Sequence, residues 1–593
     1  MQGRATVADN VAEQLIQQLQ DAGVTRIYGI VGDSLNPIVD AVRRTGGSAE
    51  GGIDWIHVRN EEAAAFAAAS EAQLTGNLAV CAGSCGPGNL HLINGLYDAH
   101  RSGAPVLAIA SHIPTVEIGS GYFQETHPER LFTECSNYCE LVSTPEQSPR
   151  VVNSAIRHAT GGCGVAVVVL PGDLAADKAA GAAPPFVPAR RGRIAPHPVD
   201  VEKLAAAIAE AEKITLFVGD GARDAREQVL AFAGHLQAPM GHTLRGKPWI
   251  QYDNPFDVGM SGLLGYGATD WAMKEADLLL LIGTDFPYAQ FFPDGEHVTI
   301  AQIDADATRL GRRAAVRHPV HGDVGRTLAA LQEFLPARTD RTFLDHALAR
   351  HRRALEDAVA VYTDSDDAPI HPERAMTAID RAAASDAVFT ADTGMGNVWQ
   401  ARYVTPTRDR RLLGSYVHGS MANALPQAIG AQFAHPDRQV IAIAGDGGLS
   451  MLLGELITAA AYRLPINVFV FNNSTLGLVK LEMLVNGYPD FGVDVPMVDF
   501  AALAGSLGFL AQRVTDPADL DAAITTALAH PGPALVDIVT DPNALSVPGT
   551  VTAQQVTRFG LSMAKLVLGA EQTGGLRQVV DTAKSNIRHL RGL

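Results

Sequence analysis

Little in this chain is aromatic, basic or sulfur-bearing. Of its 593 residues only 6% are aromatic and five are cysteines. Five is odd and too few to staple a chain of this length, which excludes a disulfide framework and points to a reducing compartment. No run of about 18 apolar residues occurs, so a membrane-spanning helix is not expected. Met1 to Asn10 lack a basic start followed by an apolar stretch, and the chain therefore reads as soluble and cytoplasmic. Positive charge is scarce too: 46 Lys and Arg face 64 Asp and Glu, a formal charge of -18 that repels a polyanion and excludes nucleic acid as a partner. What is present is 47% apolar and 19% charged, an ordinary globular profile that rules out disorder and fibrous repeats.

Two cysteine pairs, Cys81 with Cys85 and Cys135 with Cys139, raise the question of a four-thiolate zinc site. The first pair follows a strand-like run, and neither has the spacing and turn chemistry of a zinc knuckle, so buried free thiols are the better reading.

Helical stretches alternate with short apolar runs along most of the chain, the pattern of parallel sheets covered by helices. The runs are Arg26 to Val31, Leu78 to Ala82, Val106 to Ala110 and Val165 to Leu170, then Ile214 to Val218, Leu278 to Ile282 and Thr299 to Ile303, and finally Ala387 to Thr390, Val440 to Ala444, Ile466 to Phe471 and Ala534 to Val539. A Pro/Ala/Arg-rich linker, Ala182 to Pro198, separates the first group from the second. A charged helical stretch, Arg341 to Val361, leads into the third. The fold class is α/β: three doubly wound parallel-sheet domains, at 1–185, 199–337 and 341–541, followed by a tail at 542–593.

The sharpest chemical signal lies in the third group. The strand Val440 to Ala444 runs into Gly445-Asp446-Gly447-Gly448, and Ile466 to Phe471 runs into Asn472-Asn473-Ser474. Two parallel strands ending side by side present a carboxylate, an amide oxygen and loop carbonyls at the edge where such sheets bind ligands. Hard oxygen donors suit Mg2+, and glycines let a diphosphate approach the backbone. Gly219-Asp220-Gly221 has no Asn-Asn behind it and is set aside.

Gly445-Asp446-Gly447, a spacer of 24 residues and Asn472-Asn473 resemble the motif of thiamine diphosphate-dependent enzymes. The resemblance implies that Asp446, the Asn473 side chain and the Thr475 carbonyl hold Mg2+. Gly447, Gly448, Ser474, Leu476, Gly477, Leu478 and Val479 would complete the diphosphate site. It further implies a pyrimidine-binding, a central and a diphosphate-binding domain, with the cofactor between the first domain of one subunit and the third of another. Glu61, in Arg59-Asn60-Glu61-Glu62, would hydrogen-bond the aminopyrimidine and promote its imino tautomer. Read alone, Glu61 and Glu62 are helix-dipole partners in a first turn.

Cys81 to Asn94, Gly119 to Pro128 and His418 to Gln427 are similar to the bacterial quinone-reducing pyruvate dehydrogenases, also called pyruvate oxidases. On that resemblance Met421, beside Gly419 and Ser420, is the wedge that bends the cofactor, Phe123 and Gln124 line the reacting carbon, and Glu482 faces the cavity. There are two departures: Leu478 stands where the best-known member has a mobile phenylalanine, and Asn60 replaces a histidine before the acidic residue. In the central domain Ser261, Gly262, Leu263 and Leu264, then Thr284, Asp285, Phe286, Pro287 and Tyr288, then Asp304 and Asp323 resemble the FAD-binding segments. Small residues admit a dinucleotide, and an acid at a strand end can bind a ribose. The implied activity is oxidative decarboxylation of pyruvate to acetate and CO2, with electrons passing through FAD to a membrane quinone in a homotetramer. Alternatives are a phosphate- and oxygen-dependent pyruvate oxidase, an acetohydroxyacid synthase and, remotely, an inactive membrane-binding scaffold.

The tail differs from the rest. Residues 553–593 hold six basic residues, Arg558, Lys565, Arg577, Lys584, Arg588 and Arg591, against Glu571 and Asp581, a net +4. Phe559, Met563, Leu566 and Val567 share one helical face, so the tail reads either as a packed strap or as an amphipathic helix on anionic lipid. The resemblance favours lipid, and with it a peripheral place on the inner face of the cell membrane. Deletion after Thr552 is therefore expected to abolish salt-sensitive binding to anionic liposomes. Equal co-sedimentation of intact and truncated protein would restore the packed strap.

Overall fold

The computed structural model describes residues 8–181, 183, 186–189, 192–544 and 585–586. Three separate sheets account for the strands. The first contains β1 (Arg26–Gly29), β2 (Asp54–His57), β3 (Ala79–Gly83), β4 (Val106–His112), β5 (Tyr138–Leu141) and β6 (Val165–Pro171). The second contains β7 (Ile214–Val218), β8 (Met240–His242), β9 (Asp257–Met260), β10 (Tyr266–Gly267), β11 (Leu278–Ile282), β12 (Thr299–Asp304) and β13 (His318–His321). The third contains β14 (Val388–Ala391), β15 (Arg411–Gly414), β16 (Val440–Gly445), β17 (Ile466–Asn472), β18 (Leu510–Val514) and β19 (Ala534–Val539). All pairings are parallel except β9 with β10. Central strands such as β4 and β6 are buried along their whole length, because helices cover both faces.

The first and third sheets share one strand order, β2-β1-β3-β4-β6-β5 and β15-β14-β16-β17-β19-β18. In each the chain steps outward once and then returns to the other side, which opens a crevice between β1 and β3 and between β14 and β16. The middle sheet, ordered β10-β9-β8-β7-β11-β12-β13, has its crevice between β7 and β11.

Every apolar run read as a strand is one, within one or two residues. The short edge strands β2, β5, β13, β15 and β18 and the β8–β10 side of the middle sheet carry too few apolar residues to stand out. The helix expected over Arg341 to Val361 covers Thr342–Ala354 and ends in a π-turn at Leu355–Val359, while Pro198, placed at the end of the linker, already opens the helix Pro198–Glu210. Apart from residues 542–544 and 585–586, the tail lies outside the described residues, and so does its expected amphipathic helix. No helix among the described residues is long and apolar enough to cross a membrane.

The first and third domains meet along the helix Glu61–Thr75. Asn60 caps its start by accepting the Glu62 N–H, and Gly76, at φ 72°, ends it. Its alanines keep it thin enough to lie between the helices Pro87–Ser102 and Ala424–Ala434. At Gly430 a Cβ atom would stand 2.1 Å from the Ala67 carbonyl oxygen, which is backbone and cannot swing away. Gly430→Ala is therefore expected to cost about 1–3 kcal/mol of stability by forcing the two domains apart. An unchanged melting temperature would show that the helices can re-space.

Candidate active site

At the crevice between β14 and β16 lies a cavity of about 330 Å3. Asp446, the residue after β16, is 3% exposed. Its Oδ1 accepts the Gly447 N–H at 2.8 Å, and its Oδ2 accepts the Ser474 N–H at 2.6 Å, which ties the end of β16 to the loop after β17. Burial pushes its carboxyl above the ordinary range, and these backbone bonds, with one from Asn473, offset part of that rise. Asn473 and Thr475 also line the cavity; the Asn473 Oδ1 accepts the Thr475 N–H at 3.1 Å, and the Thr475 carbonyl accepts that of Gly477 at 2.9 Å. A carboxylate, an amide oxygen and a carbonyl, each with a lone pair left, are the donor set of a hard divalent cation.

Gly419, Met421, Gly447, Gly448, Leu476, Gly477, Leu478, Val479 and Glu482 complete the predicted part of the wall. Ser420 does not line it: its Oγ accepts from Asn94 Nδ2 at 2.9 Å and donates to the Met421 carbonyl, so it fastens the Met421 turn to the first domain. Ser474, held at φ 55°, contributes its backbone rather than its side chain. Asn472, the first of the Asn-Asn pair, is buried and bonded to Asp537 and the Val498 carbonyl.

Sequence reasoning missed the opposite wall: Asp392, Thr393, Gly394, Met395 and Trp399. The available signal was a strand, Ala387 to Thr390, running into an acid and a glycine. Asp392 Oδ1 accepts the Ala424 N–H at 2.9 Å, and a Cβ at Gly448 would stand 2.3 Å from Oδ2, which is why that turn carries glycine. Thr393 Oγ1 is buried with no hydrogen-bond partner among the described residues, so it remains available to a ligand. Glycine turns, an orphan hydroxyl and oxygen donors fit a Mg2+ diphosphate.

Glu61 is 5% exposed and does not line this cavity; its Oε2 lies 3.0 Å from His91 Nδ1. Phe123 is 78% exposed. Gln124, at φ 61°, accepts from the Cys85 thiol at 3.3 Å. Their loop is stiffened by Glu125, whose carboxylate accepts the N–H groups of Gly119, Gly121 and Tyr122. After the helix Gly477–Val485 the chain exposes Tyr488, Phe491 and Met497. Cys81, Cys85 and Cys135 are buried free thiols, and Cys139 and Cys163 are partly buried.

In the middle sheet, Gly219 and Gly221 pack closely on Gly283 at the β7/β11 crevice: a Cβ there would stand 2.5 or 2.8 Å from the Gly283 carbonyl oxygen. Asp304, at the end of β12, is buried with Oδ2 unpartnered among the described residues, and burial pushes its carboxyl up. An orphan oxygen there suits a ribose hydroxyl. Other predicted residues have structural partners. Asp285 pairs with Arg312 and Arg313; Asp323 caps the helix Val324–Phe334 by accepting the Arg326 N–H; Ser261 donates to Asp270. The Thr284 carbonyl accepts from Gln302, and Phe286 packs edge-on against Phe217 and Tyr288, over Gly262. Leu263 and Pro287 are exposed, whereas Leu264 packs against the third domain's core. The Tyr288 phenol is pushed up first by burial and then by the Glu482 carboxylate.

Three family models match the chain: the N-terminal TPP binding domain of thiamine pyrophosphate enzymes at residues 9–131, their central domain at 201–331 and their C-terminal TPP binding domain at 392–538. The chain is 35% identical to a putative thiamine pyrophosphate-containing protein, YdaP, of Bacillus subtilis (strain 168), over 93% of this chain and 95% of that one. It is 32% identical to a pyruvate oxidase of Lactiplantibacillus plantarum, over 88% and 87%. It is 31% identical to a probable acetolactate synthase large subunit of Methanocaldococcus jannaschii, over 90% and 92%.

Burial pushes the Asp392 carboxyl up to about 7, against backbone bonds from Ala424, Gly445 and Asn423. Between the ordinary aspartate range and that value the native state keeps a proton that the unfolded chain has released, so this group's contribution to stability falls as pH rises through the window. Asp392→Asn apoprotein should therefore gain on the order of 2 kcal/mol over wild type at pH 8 relative to pH 4. Urea unfolding at the two pH values gives the comparison; an equal difference at both would mean that Asp392 is ionised throughout.

Proposed function

The chain belongs to the thiamine pyrophosphate enzyme family, and from that premise we propose that it oxidatively decarboxylates pyruvate, passing the electrons through FAD to a membrane quinone. The observation that carries the reading is the approach of the central and third domains beside the cavity: Arg402, on the helix that lines it, donates to the Leu264 and Gly265 carbonyls, next to the segment expected to bind flavin. That approach would bring a flavin within reach of the reacting carbon, as electron transfer requires, while a synthase that keeps an idle flavin would share it. Pyruvate and water become acetate, CO2, two protons and two electrons, and the quinone leaves as quinol.

Thiamine diphosphate, when bound, supplies the carbon nucleophile, and FAD the two-electron acceptor. The chain supplies geometry and charge. Asp446, Asn473 and the Thr475 carbonyl would hold Mg2+, with the diphosphate along Gly447 and Gly448 and Met421 beneath it. Leu478, Val479 and Glu482 bound the reaction space. Glu61 lies outside the cavity of its own chain, and Phe123 projects into solvent; on this reading both would serve the site of a second copy, in a contact that would also cover the exposed Tyr488, Phe491 and Met497. On this reading the active form would be a homo-oligomer, at least a dimer and a tetramer if two such dimers join. Residues 553–593, with their net +4, would hold it on anionic lipid at the inner face of the cell membrane, where the quinone is found.

Relatives named pyruvate oxidase and acetolactate synthase match at nearly the same identity, so the decision rests on the electrons. Anaerobic mixing with pyruvate should bleach the flavin, and a soluble quinone should restore it. Recovery by oxygen with phosphate would assign the oxygen-dependent pyruvate oxidase; an unbleached flavin with acetolactate formed would assign the synthase. Glu61→Gln should retain both cofactors and slow bleaching about 100-fold or more, because an amide cannot hold the proton exchanged with the aminopyrimidine. Bleaching at the wild-type rate would remove Glu61 from the mechanism.

A further inference from the structure

Two cations, Lys247 buried and Arg402 half-buried, cross the boundary between the central and third domains in opposite directions. Lys247, 1% exposed on the short helix Lys247–Ile250, donates through Nζ to the Ala401 carbonyl at 2.5 Å and to the Tyr266 hydroxyl at 3.3 Å. The next residue, Arg402, reaches back the other way: its Nε donates to the Leu264 carbonyl at 3.4 Å and its Nη2 to the Gly265 carbonyl at 3.2 Å. Gln251 completes the Lys247 side by donating to the Tyr266 hydroxyl at 2.8 Å and to Asp257 at 3.1 Å. Ala401 and Arg402 belong to the last turn of the helix Met395–Tyr403, and the same helix lines the cavity with Met395, Gly396 and Trp399. Leu264 and Gly265 close the segment that begins at Ser261, read above as flavin-binding.

We propose that Lys247 and Arg402 form a reciprocal clamp that couples the flavin and thiamine sites, so that filling one raises the affinity of the other. The proposal rests on the functional reading above. Burying cations is a poor way to gain stability, since their desolvation offsets most of what their bonds return. Placed on carbonyls of opposite domains, however, they permit one relative position only. Sliding the Leu264–Gly265 turn past the helix would break charge-assisted bonds at a partly buried boundary. The helix moves as a rod, so a cofactor that settles the Met395–Trp399 wall also settles the flavin turn. Two ligands biasing one arrangement are coupled, and the coupling is reciprocal.

The test is FAD binding to stripped full-length protein, followed by flavin fluorescence with and without saturating thiamine diphosphate and Mg2+. Wild type should bind FAD about fivefold or more tightly when the second cofactor is present, with the same factor seen for thiamine diphosphate when FAD is present. In Lys247→Met and in Arg402→Met, which cut the clamp from its two sides, the factor should fall towards one. Arg402→Lys, which keeps a charged donor, should retain part of it. A wild-type factor in either methionine variant, or uniform weakening of both affinities with the factor unchanged, would overturn the clamp and leave the functional reading standing. Failure of the wild-type protein to bind FAD would overturn both.

Discussion

A carboxylate with almost no access to water holds the third domain's cavity together. Taking Asp446 out of solvent is costly, and the backbone N–H groups around it offset only part of that cost, so the site calls for a cation. The arrangement requires β16 and β17 to end level, and their register supplies this: Ala444 faces Val470 and Gly445 faces Phe471. Both strands are apolar and covered on each side, which leaves the polar ends of the sheet as the place where chemistry can collect. The same logic recurs at Asp392 and Asp304, buried acids at or beside the crevices of their own sheets.

The seam between the first and third domains carries a second constraint. Asp98 is fully buried there, accepting from Ser415 and Gln427, and burial pushes its carboxyl up to about 6. Glu455 of the third domain accepts the N–H groups of Arg59 and Asn60, immediately before Glu61. The third domain of a chain thus fixes where its own Glu61 stands, while on the proposed reading that Glu61 serves the cavity of another copy. Position and use are divided between two molecules.

How much of this could be read from the chain depended on whether the signal was local. Strands buried on both faces announce themselves as apolar runs, and Asp446 and Asn473 were legible because each follows such a run directly. Edge strands such as β5, Tyr138–Leu141, pack on one side only and carry no comparable run. Asp392 was overlooked because a single acid after a strand gains meaning only when the sheet order sets it against Gly448. Asp285 and Asp323 looked like ribose acids by position, yet one neutralises two arginines and the other caps a helix; an acid's partner is a tertiary fact. The Lys247–Arg402 exchange, between residues far apart in sequence, left no local mark at all.

The helix Glu61–Thr75 has almost no face turned to water over most of its length. Ordinary surface helices drift freely in sequence on one side, because half their positions touch nothing. Here nearly every position is a spacer between two other helices, and even one added methyl group has to be absorbed by a neighbour. The alanine run, which looks like low information content, is thus a stretch where mutational tolerance is lowest, and it sets the distance at which two domains carrying different parts of one reaction are held.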